Sequence, residues 1–469
     1  MPTALQPAPR FMRFELALLA LGLAFSAGPA LAADAVPARP ALADPLNRDA
    51  DYRWFQHDRL GMFIHFGLYS SAARHEWVMN KEKLSPEAYR KYFDAFDPDL
   101  FDARAWAKAA KAAGMKYMVL TTKHHEGFAL WDSRLTDYKI TNTAFKRDLV
   151  REVVDALRAE GLKVGFYYSL IDWHHPDFPV DGFHPLRDDP AARAAPRDMK
   201  RYAAYLHGQV RELLTGYGKI DYLWFDFSYP DRHQEWGWGK GKGRDDWQSE
   251  ELVKLVHQLQ PHIILNNRLD LPGGVQTPEQ FQPKVDGAVA AATRLVEECA
   301  TLNGSWGYDR DNLAWKSPEA VVTLLVDAVA KGNNLLLNVG PTGRGDFEPR
   351  ARERLAALGD WTRLNARSIY GAGPSAFTAP YGARYTQRGD RLYLHLQRYP
   401  IGAIELEGLA GKVRYAQFLH DGSELQFEEP EKKNWHSFIH TAVSEGAIRL
   451  KLPAVKPDVT APVVELFLK

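Results

Sequence analysis

The stretch Tyr222-Leu-Trp-Phe-Asp226 is a short apolar run ending on a carboxylate, bounded by turn-forming residues before it and by the loop-like Ser228-Tyr-Pro-Asp-Arg-His after it. This pattern reads as a buried strand that delivers one acid to its C-terminal end. An isolated Asp in such a place commonly caps the following turn through its own backbone. Its neighbours along the chain decide whether this one does more.

Outward from that run, short apolar segments alternate with helical ones from residue 50 to about 365. Gly61-Met-Phe-Ile-His65, Lys116-Tyr-Met-Val-Leu-Thr-Thr122, Lys163-Val-Gly-Phe-Tyr-Tyr168, His262-Ile-Ile-Leu-Asn266 and Asn334-Leu-Leu-Leu-Asn338 read as further strands, and 98–113, 149–160, 199–215, 249–259 and 318–331 read as helices. Repeated units of this kind imply a parallel sheet, and about eight of them favour a (β/α)8 TIM-like barrel over an open doubly wound sheet. The sixth strand is not evident, because 284–300 reads equally as helix or loop. After Gly371 the pattern changes to period-two alternation, as in Arg391-Leu-Tyr-Leu-His-Leu and Val463-Val-Glu-Leu-Phe-Leu, which predicts an antiparallel β-sandwich over 371–469. The catalytic domain of this α/β chain is therefore expected over 50–370.

The N-terminus has two arginines, an apolar stretch over 14–25 and small residues up to Ala32, the tripartite form of a secretory signal peptide. Residues 1–32 are expected to be removed, 33–49 to form a flexible lead-in rich in Pro and Ala, and the mature protein to be secreted, with a bacterial periplasm the suitable compartment. No later window reaches the roughly 18 uninterrupted apolar residues of a membrane span. The 59 basic and 59 acidic side chains cancel, which argues against nucleic acid as a partner and favours neutral ones. The single cysteine, Cys299, excludes an internal disulfide. With 13 Trp, 20 Tyr and 23 Phe, the chain has ample aromatic faces for packing on sugar C–H groups. Nothing in the sequence specifies an oligomeric state.

Active sites of (β/α)8 enzymes gather at the C-terminal strand ends. Five successive ends here are loaded with polar and aromatic groups: His65, Glu76 and Trp77; His124, His125 and Glu126; Tyr168, Asp172, Trp173, His174 and His175; Trp224 and Asp226; and Asn266, Asn267 and Arg268. Metal-assisted hydrolysis is one chemistry open to such a rim, but adjacent histidines are expected to point apart and no His-X-His or His-Glu-X-X-His spacing is present. Glycoside hydrolysis, which needs two carboxyl groups, neutral hydrogen-bonding groups and an aromatic platform, suits the inventory better.

These residues resemble a known family. Gly61-Met-Phe-Ile-His-Phe-Gly-Leu-Tyr-Ser70, Glu76-Trp77, Thr122-Lys-His-His-Glu-Gly-Phe128, Phe166-Tyr-Tyr-Ser169, Trp224-Phe-Asp226, Ser305-Trp-Gly-Tyr308 and Asn333-Asn-Leu-Leu-Leu-Asn-Val-Gly-Pro341 look like motifs of the α-L-fucosidases of glycoside hydrolase family 29. The resemblance implies a retaining, exo-acting α-L-fucosidase that removes terminal α-L-fucose from glycans through a covalent glycosyl-enzyme, with no metal or other cofactor. It maps the nucleophile onto Asp226, whose ionised form would be favoured by a cation such as Arg268. His65, His124 and His125 would bond the sugar hydroxyls, Glu76, Trp77, Tyr168, Trp224 and Arg268 would complete the pocket, and Trp306 would face the C6 methyl group. For the acid/base it offers Glu279, in the loop after the fifth strand, and Glu297 as competitor, with Glu298 as a third choice. Linkage preference would lie with variable loops such as 233–247, rich in Gly and Trp, which reads equally as an aglycone site or a plain surface loop.

Overall fold

The computed structural model describes residues 44–469 except 48, 233, 234, 236, 284–293 and 430–442. The signal-peptide segment and most of the lead-in lie outside the described residues. The end of that lead-in is not a free tether: the Asn47 amide both donates to Leu265 O (3.0 Å) and accepts from Leu265 N (2.7 Å), acting as a side-chain substitute for a neighbouring strand.

Seven parallel strands surround the core: β1 (Leu60–Ile64), β2 (Tyr117–Lys123), β3 (Lys163–Ser169), β4 (Tyr222–Asp226), β5 (Ile264–Leu265), β6 (Glu297–Thr301) and β7 (Asn334–Val339). Their order is β5-β4-β3-β2-β1-β7-β6. The sixth strand, hidden from the sequence pattern, is therefore the end of the 284–300 segment. It carries two glutamates and a threonine, so it lacks the apolar run of the other strands. Between β5 and β6 the ring is closed by an irregular eighth stave. Val275 bridges Asn266 on one side, while Gln276 and Glu279 bridge Val296 and Cys299 on the other. No helix separates this stave from β5, and Pro278 within it removes a donor and prevents a regular strand.

The principal outer helices are α1 (Ala103–Ala112), α2 (Leu149–Ala159), α3 (Met199–Gly216), α4 (Ser249–Leu259), α5 (Pro318–Ala330) and α6 (Pro349–Asn365). Several begin where the chain supplies a side-chain cap: Asp102, Asp148, Asp198 and Ser317 each accept from first-turn amides. Because helices cover the outside and side chains fill the inside, the strands are buried on both faces. Alternation then sorts residues. Met62, Ile64, Phe166, Leu223 and Phe225 pack outward against helices, whereas Phe63, Tyr117, Tyr167, Tyr222, Trp224 and Leu336 fill the barrel. Gly61 is required by that filling, since a Cβ there would lie 2.3 Å from the Tyr117 ring.

The C-terminal part stacks a four-stranded antiparallel sheet against a three-stranded one. The first contains β8 (Ala383–Arg388), β9 (Arg391–Leu396), β11 (Val413–Phe418) and β14 (Val463–Leu468); the second contains β10 (Ala403–Leu406), β12 (Phe427–Glu428) and β13 (Ile448–Lys451). Inward residues such as Leu394, Leu450 and Leu466 make their shared core. Asp327 on α5 ties the sandwich to the barrel through Arg384 (3.0 Å) and Gln397 (2.7 Å).

Candidate active site

Strand β4 ends on Asp226, and the next residue, Phe227, sits at φ 84°, a left-handed conformation that a phenylalanine rarely adopts. This turn leaves the Asp226 carboxylate on the cavity at the barrel mouth. Tyr167 Oη donates to its Oδ2 at 2.7 Å, and Arg268 Nη1 donates to its Oδ1 at 3.1 Å. The other guanidinium nitrogen of Arg268 holds Glu279, while its Nε donates to Thr277 Oγ1 at 2.9 Å. One rigid fork therefore grips two carboxylates from different segments. Arg268 also lies over the Trp224 ring, 4.8 Å from its centroid.

Burial lifts Asp226 above the usual carboxylate range, to about 7; Arg268 opposes this, and neighbouring Glu279 adds to it. The cation expected from the sequence is present, but the net direction is upward because desolvation outweighs it. Glu279 sits on the eighth stave with a third of its side chain exposed.

Asp226, Arg268 and Glu279 form one end of a cavity of about 210 Å³, also lined by Phe63, His65, Trp77, His124, His125, Tyr167, Trp224, Phe227 and Trp306. Sites for drug-sized ligands run from roughly 300 Å³ upward, so a single small ring is the natural occupant. Three histidines face it. Asn338 Nδ2 donates to Trp306 O, which fixes the amide so that Asn338 Oδ1 accepts from His65 Nδ1 at 2.7 Å. Ser169 Oγ donates to Ile171 O and so accepts from His125 Nδ1, also at 2.7 Å. Both rings therefore present an unprotonated Nε2. Burial holds His65 down at about 3 and pushes His124 and His125 well below the ordinary imidazole value, so all three are neutral at pH 7. Neutral imidazoles accept hydrogen bonds from hydroxyl groups, which a cation cannot do.

The expectation that His124 and His125 diverge is not met. A register shift between Thr121 and Lys123 on β2 turns the strand end, and the two rings stand 3.9 Å apart on the same cavity wall. Even so, no group of three or more His, Cys, Asp or Glu side chains among the described residues is arranged to hold a metal ion.

Four candidates lie elsewhere. Tyr168 points outward to Gln209 (2.8 Å), and Tyr167, one residue earlier, is the tyrosine in the cavity. A strand reverses its face at every residue, so a one-residue error in parity exchanges site for core. Glu76 stands behind the wall, accepting from the amides of Trp306 (3.1 Å) and Gly307 (2.8 Å), and thus positions the Trp306 loop. Glu297, at the start of β6, is at the opposite end of the barrel interior, held by the hydroxyls of Tyr117 (2.5 Å) and Tyr222 (3.0 Å). Glu298 faces outward to Asn333 (2.8 Å) and Lys331. Of the remaining rim residues, Asp172 pairs with buried Lys123 at 3.1 Å and accepts from the amides of His174 and His175. Asn266 bonds the backbone of Phe225 in both directions. Tyr167, Phe63, Phe227, Ser169 and Asn338 were not read from the sequence as site residues. Register with β4 would have found Tyr167, which pairs with Trp224, and Ser169, which pairs with Asp226.

The family model described as Alpha-L-fucosidase matches residues 37–367. The chain belongs to the α-L-fucosidase family. Among solved structures, alpha-L-fucosidase isoenzyme 1 from Paenibacillus thiaminolyticus is 46% identical with a TM-score of 0.81, covering 89% of this chain and 98% of that one. A GH29 alpha-L-fucosidase of Bacteroides thetaiotaomicron, solved as a trapped covalent intermediate with 2-fluoro-fucosyl fluoride, is 27% identical with a TM-score of 0.75, covering 88% of this chain and 95% of that one. The plasma alpha-L-fucosidase of Homo sapiens is 30% identical over 365 residues, 70% of this chain and 72% of that protein. In this α-L-fucosidase the paired acids and the neutral histidines line one small cavity.

Proposed function

We infer that the protein is a retaining, exo-acting α-L-fucosidase in which Asp226 is the nucleophile and Glu279 the acid/base. The observation that carries this reading is the Arg268 fork, which holds both carboxylates at one end of a cavity sized for one sugar ring. The partner is a glycan or small glycoside ending in α-L-fucose. Its hydroxyls donate to the Nε2 atoms of His65 and His125, and its apolar face and C6 methyl meet aromatic walls that include Trp306. No cofactor enters the scheme.

In the first step an Asp226 oxygen attacks C1, the C1–O bond to the leaving group breaks, and Glu279 gives its proton to the departing oxygen. In the second step water attacks C1, the ester to Asp226 breaks, and Glu279 takes the water proton. Two inversions leave the anomeric configuration retained. Arg268 and Tyr167 stabilise the Asp226 carboxylate before attack and again as it leaves. The N-terminal residues 1–32 direct export, and the mature enzyme acts outside the cytoplasm, in the periplasm of a bacterial cell.

Hydrolysis of an aryl α-L-fucoside followed by proton NMR tests the reading: α-L-fucose should appear first and then mutarotate, whereas initial β-L-fucose would overturn retention. Detection of activity in a periplasmic extract, with a chain that lacks residues 1–32, tests export.

A further inference from the structure

The eighth stave brings Glu279 to the cavity without being a regular strand, so its course depends on what it is tied to. Past Thr277 it is tied to β6: Cys299 N donates to Pro278 O and Gln280 N donates to Cys299 O, both at 2.9 Å. Its entry is the weaker part. The chain arrives from β5 through Asp270-Leu-Pro-Gly-Gly274, in which Gly273 (φ 97°) and Gly274 (φ 84°) both adopt left-handed conformations. Two adjacent glycines have many other conformations open to them, so this turn does not hold itself.

Residues 44–47 hold it from outside. Asp44 Oδ1 accepts from Gly274 N at 2.9 Å and from Leu46 N at 3.0 Å, and Asp44 Oδ2 accepts from Asn47 Nδ2 at 2.9 Å. A Cβ on Gly273 would stand 2.4 Å from Asp44 Oδ1, so the two segments approach closely. Buried Asn47 bonds Leu265 in both directions, and Leu265 O also accepts from Val275 N at 3.0 Å. On the other side His257 of α4 donates from Nε2 to Leu46 O at 2.8 Å, which fastens the segment to the barrel's outer layer. The segment thus grips both the strand that the turn leaves and the residue before the stave begins. The connection onward is short. Thr277 receives Arg268 Nε on Oγ1 and Nη2 on its carbonyl oxygen, both at 2.9 Å, and two residues later Glu279 pairs with the same guanidinium.

From this we propose that Asp44 is a positioning residue for the acid/base: its carboxylate, braced by Asn47, fixes the entry of the eighth stave and so the reach of Glu279 to the leaving-group oxygen. The proposal rests on the reading of Glu279 as the acid/base. Asp44 does not itself line the cavity. It acts through the backbone between Gly274 and Glu279, and a general acid works only within hydrogen-bond reach of its target. A displacement of about 1 Å can cost a reaction up to about 10²-fold, so a small release at Gly274 suffices to be seen.

The test measures kcat/KM of the full-length enzyme and its variants on two fucosides that differ only in the leaving group: α-L-fucosyl fluoride, whose fluoride departs without a proton, and methyl α-L-fucoside, whose methoxide needs one. Asp44→Ala should lower the methyl fucoside rate about tenfold, part of the roughly 10²- to 10⁴-fold that a general acid supplies, and keep the fluoride rate within about twofold. Asp44→Asn, which retains an oxygen for the Gly274 amide, should restore the methyl fucoside rate. In a Glu279→Ala background Asp44→Ala should cost nothing further on methyl fucoside, because the group it positions is gone. An equal fall on both substrates, an unchanged methyl fucoside rate, or a full additional loss in the Glu279→Ala background overturns the assignment. Should Asp44→Ala fail to fold, Asp44→Ser replaces it, since its hydroxyl can still take the Leu46 amide but stops one bond short of Gly274. The reading of Glu279 is checked separately. If Glu279→Ala spares methyl fucoside, that reading fails whatever the Asp44 variants do, whereas a loss in Glu279→Ala without one in Asp44→Ala removes only the role of Asp44.

Discussion

The Tyr167 hydroxyl donates a 2.7 Å hydrogen bond to Asp226 Oδ2. This bond and the Arg268 contact work against the burial that raises Asp226 to about 7. A hydrogen bond to a charged group contributes about 1.5–3 kcal/mol, so Tyr167→Phe should lower kcat/KM on an aryl α-L-fucoside by roughly 10- to 100-fold. The sign of the pH effect follows from which form reacts. The carboxylate is the nucleophile, so kcat/KM should rise with pH through an acid limb near 7, and loss of the donor should move that limb upward. A limb that stays in place in the variant would remove Tyr167 from the role of supporting the nucleophile.

Asp226→Ala should reduce turnover of the aryl fucoside by at least about 10³-fold, since the covalent route is lost. Added azide, a small anion able to occupy the vacated space, should restore part of the rate and yield the inverted β-L-fucosyl azide. A variant with near-normal hydrolysis would disprove the nucleophile assignment.

The barrel was legible in the sequence because six of its staves are apolar runs between helical segments, and a parallel sheet buried on both faces leaves that trace. The β6 strand was not, because Glu297-Glu-Cys-Ala-Thr301 gains its burial from tertiary partners, Tyr117, Tyr222, Asn333 and Lys331, rather than from its own composition. At the site, the residues at strand ends were readable and those set by register were not. Asp226 and Arg268 could be named from position alone, but choosing Tyr167 over Tyr168 requires knowing which residue of β3 stands beside Trp224. In the same way, Glu279 and Glu297 are indistinguishable as letters. Only the eighth stave, which carries Glu279 to the Arg268 fork, separates them.

Ser169 does not line the cavity, yet it sets what His125 offers there. Its hydroxyl is committed as a donor to Ile171 O, so His125 must donate from Nδ1 and present Nε2 as an acceptor, 3.8 Å from Asp226 Oδ2. Ser169→Ala frees the ring to adopt either tautomer. Loss of one such hydrogen bond, about 1 kcal/mol, should lower kcat/KM roughly five- to tenfold. The same substitution strands Ile171 O and the His125 Nδ1–H in the core, at about 1–3 kcal/mol, so Tm should fall modestly while the protein stays folded at the assay temperature. A rate loss that disappears once activity is normalised to the folded fraction would assign Ser169 a purely structural part.

Since the described histidines and carboxylates offer no set of three or more metal ligands, exhaustive dialysis against a chelator should change kcat by no more than about twofold, whereas a metal-held water nucleophile would be lost completely. Loss of activity that zinc or another divalent ion restores would exclude the two-carboxylate mechanism.

Glu279 and Glu297 make opposite predictions. Glu279→Ala should slow substrates with poor leaving groups by roughly 10²- to 10⁴-fold, the usual share of a general acid, while sparing a fluoride leaving group in the first step. Azide should then attack the glycosyl-enzyme without needing a base and give the retained α-L-fucosyl azide. Glu297→Ala should show neither signature. Its effect belongs to stability, because it strands the hydroxyls of Tyr117 and Tyr222 in the barrel, at a cost of about 1–3 kcal/mol each. The pH dependence separates the two further. Burial raises Glu297 from 4.5 to about 7, so between those values the folded protein keeps a proton that the unfolded chain releases. Its contribution to stability is fully present below about 4.5 and is lost as pH rises through about 7. Glu297→Gln has no such proton, so its Tm should fall less than that of the unaltered enzyme between pH 5 and 8. An azide product from Glu297→Ala, with Glu279→Ala unaffected on aryl and disaccharide substrates alike, would transfer the acid/base role to Glu297.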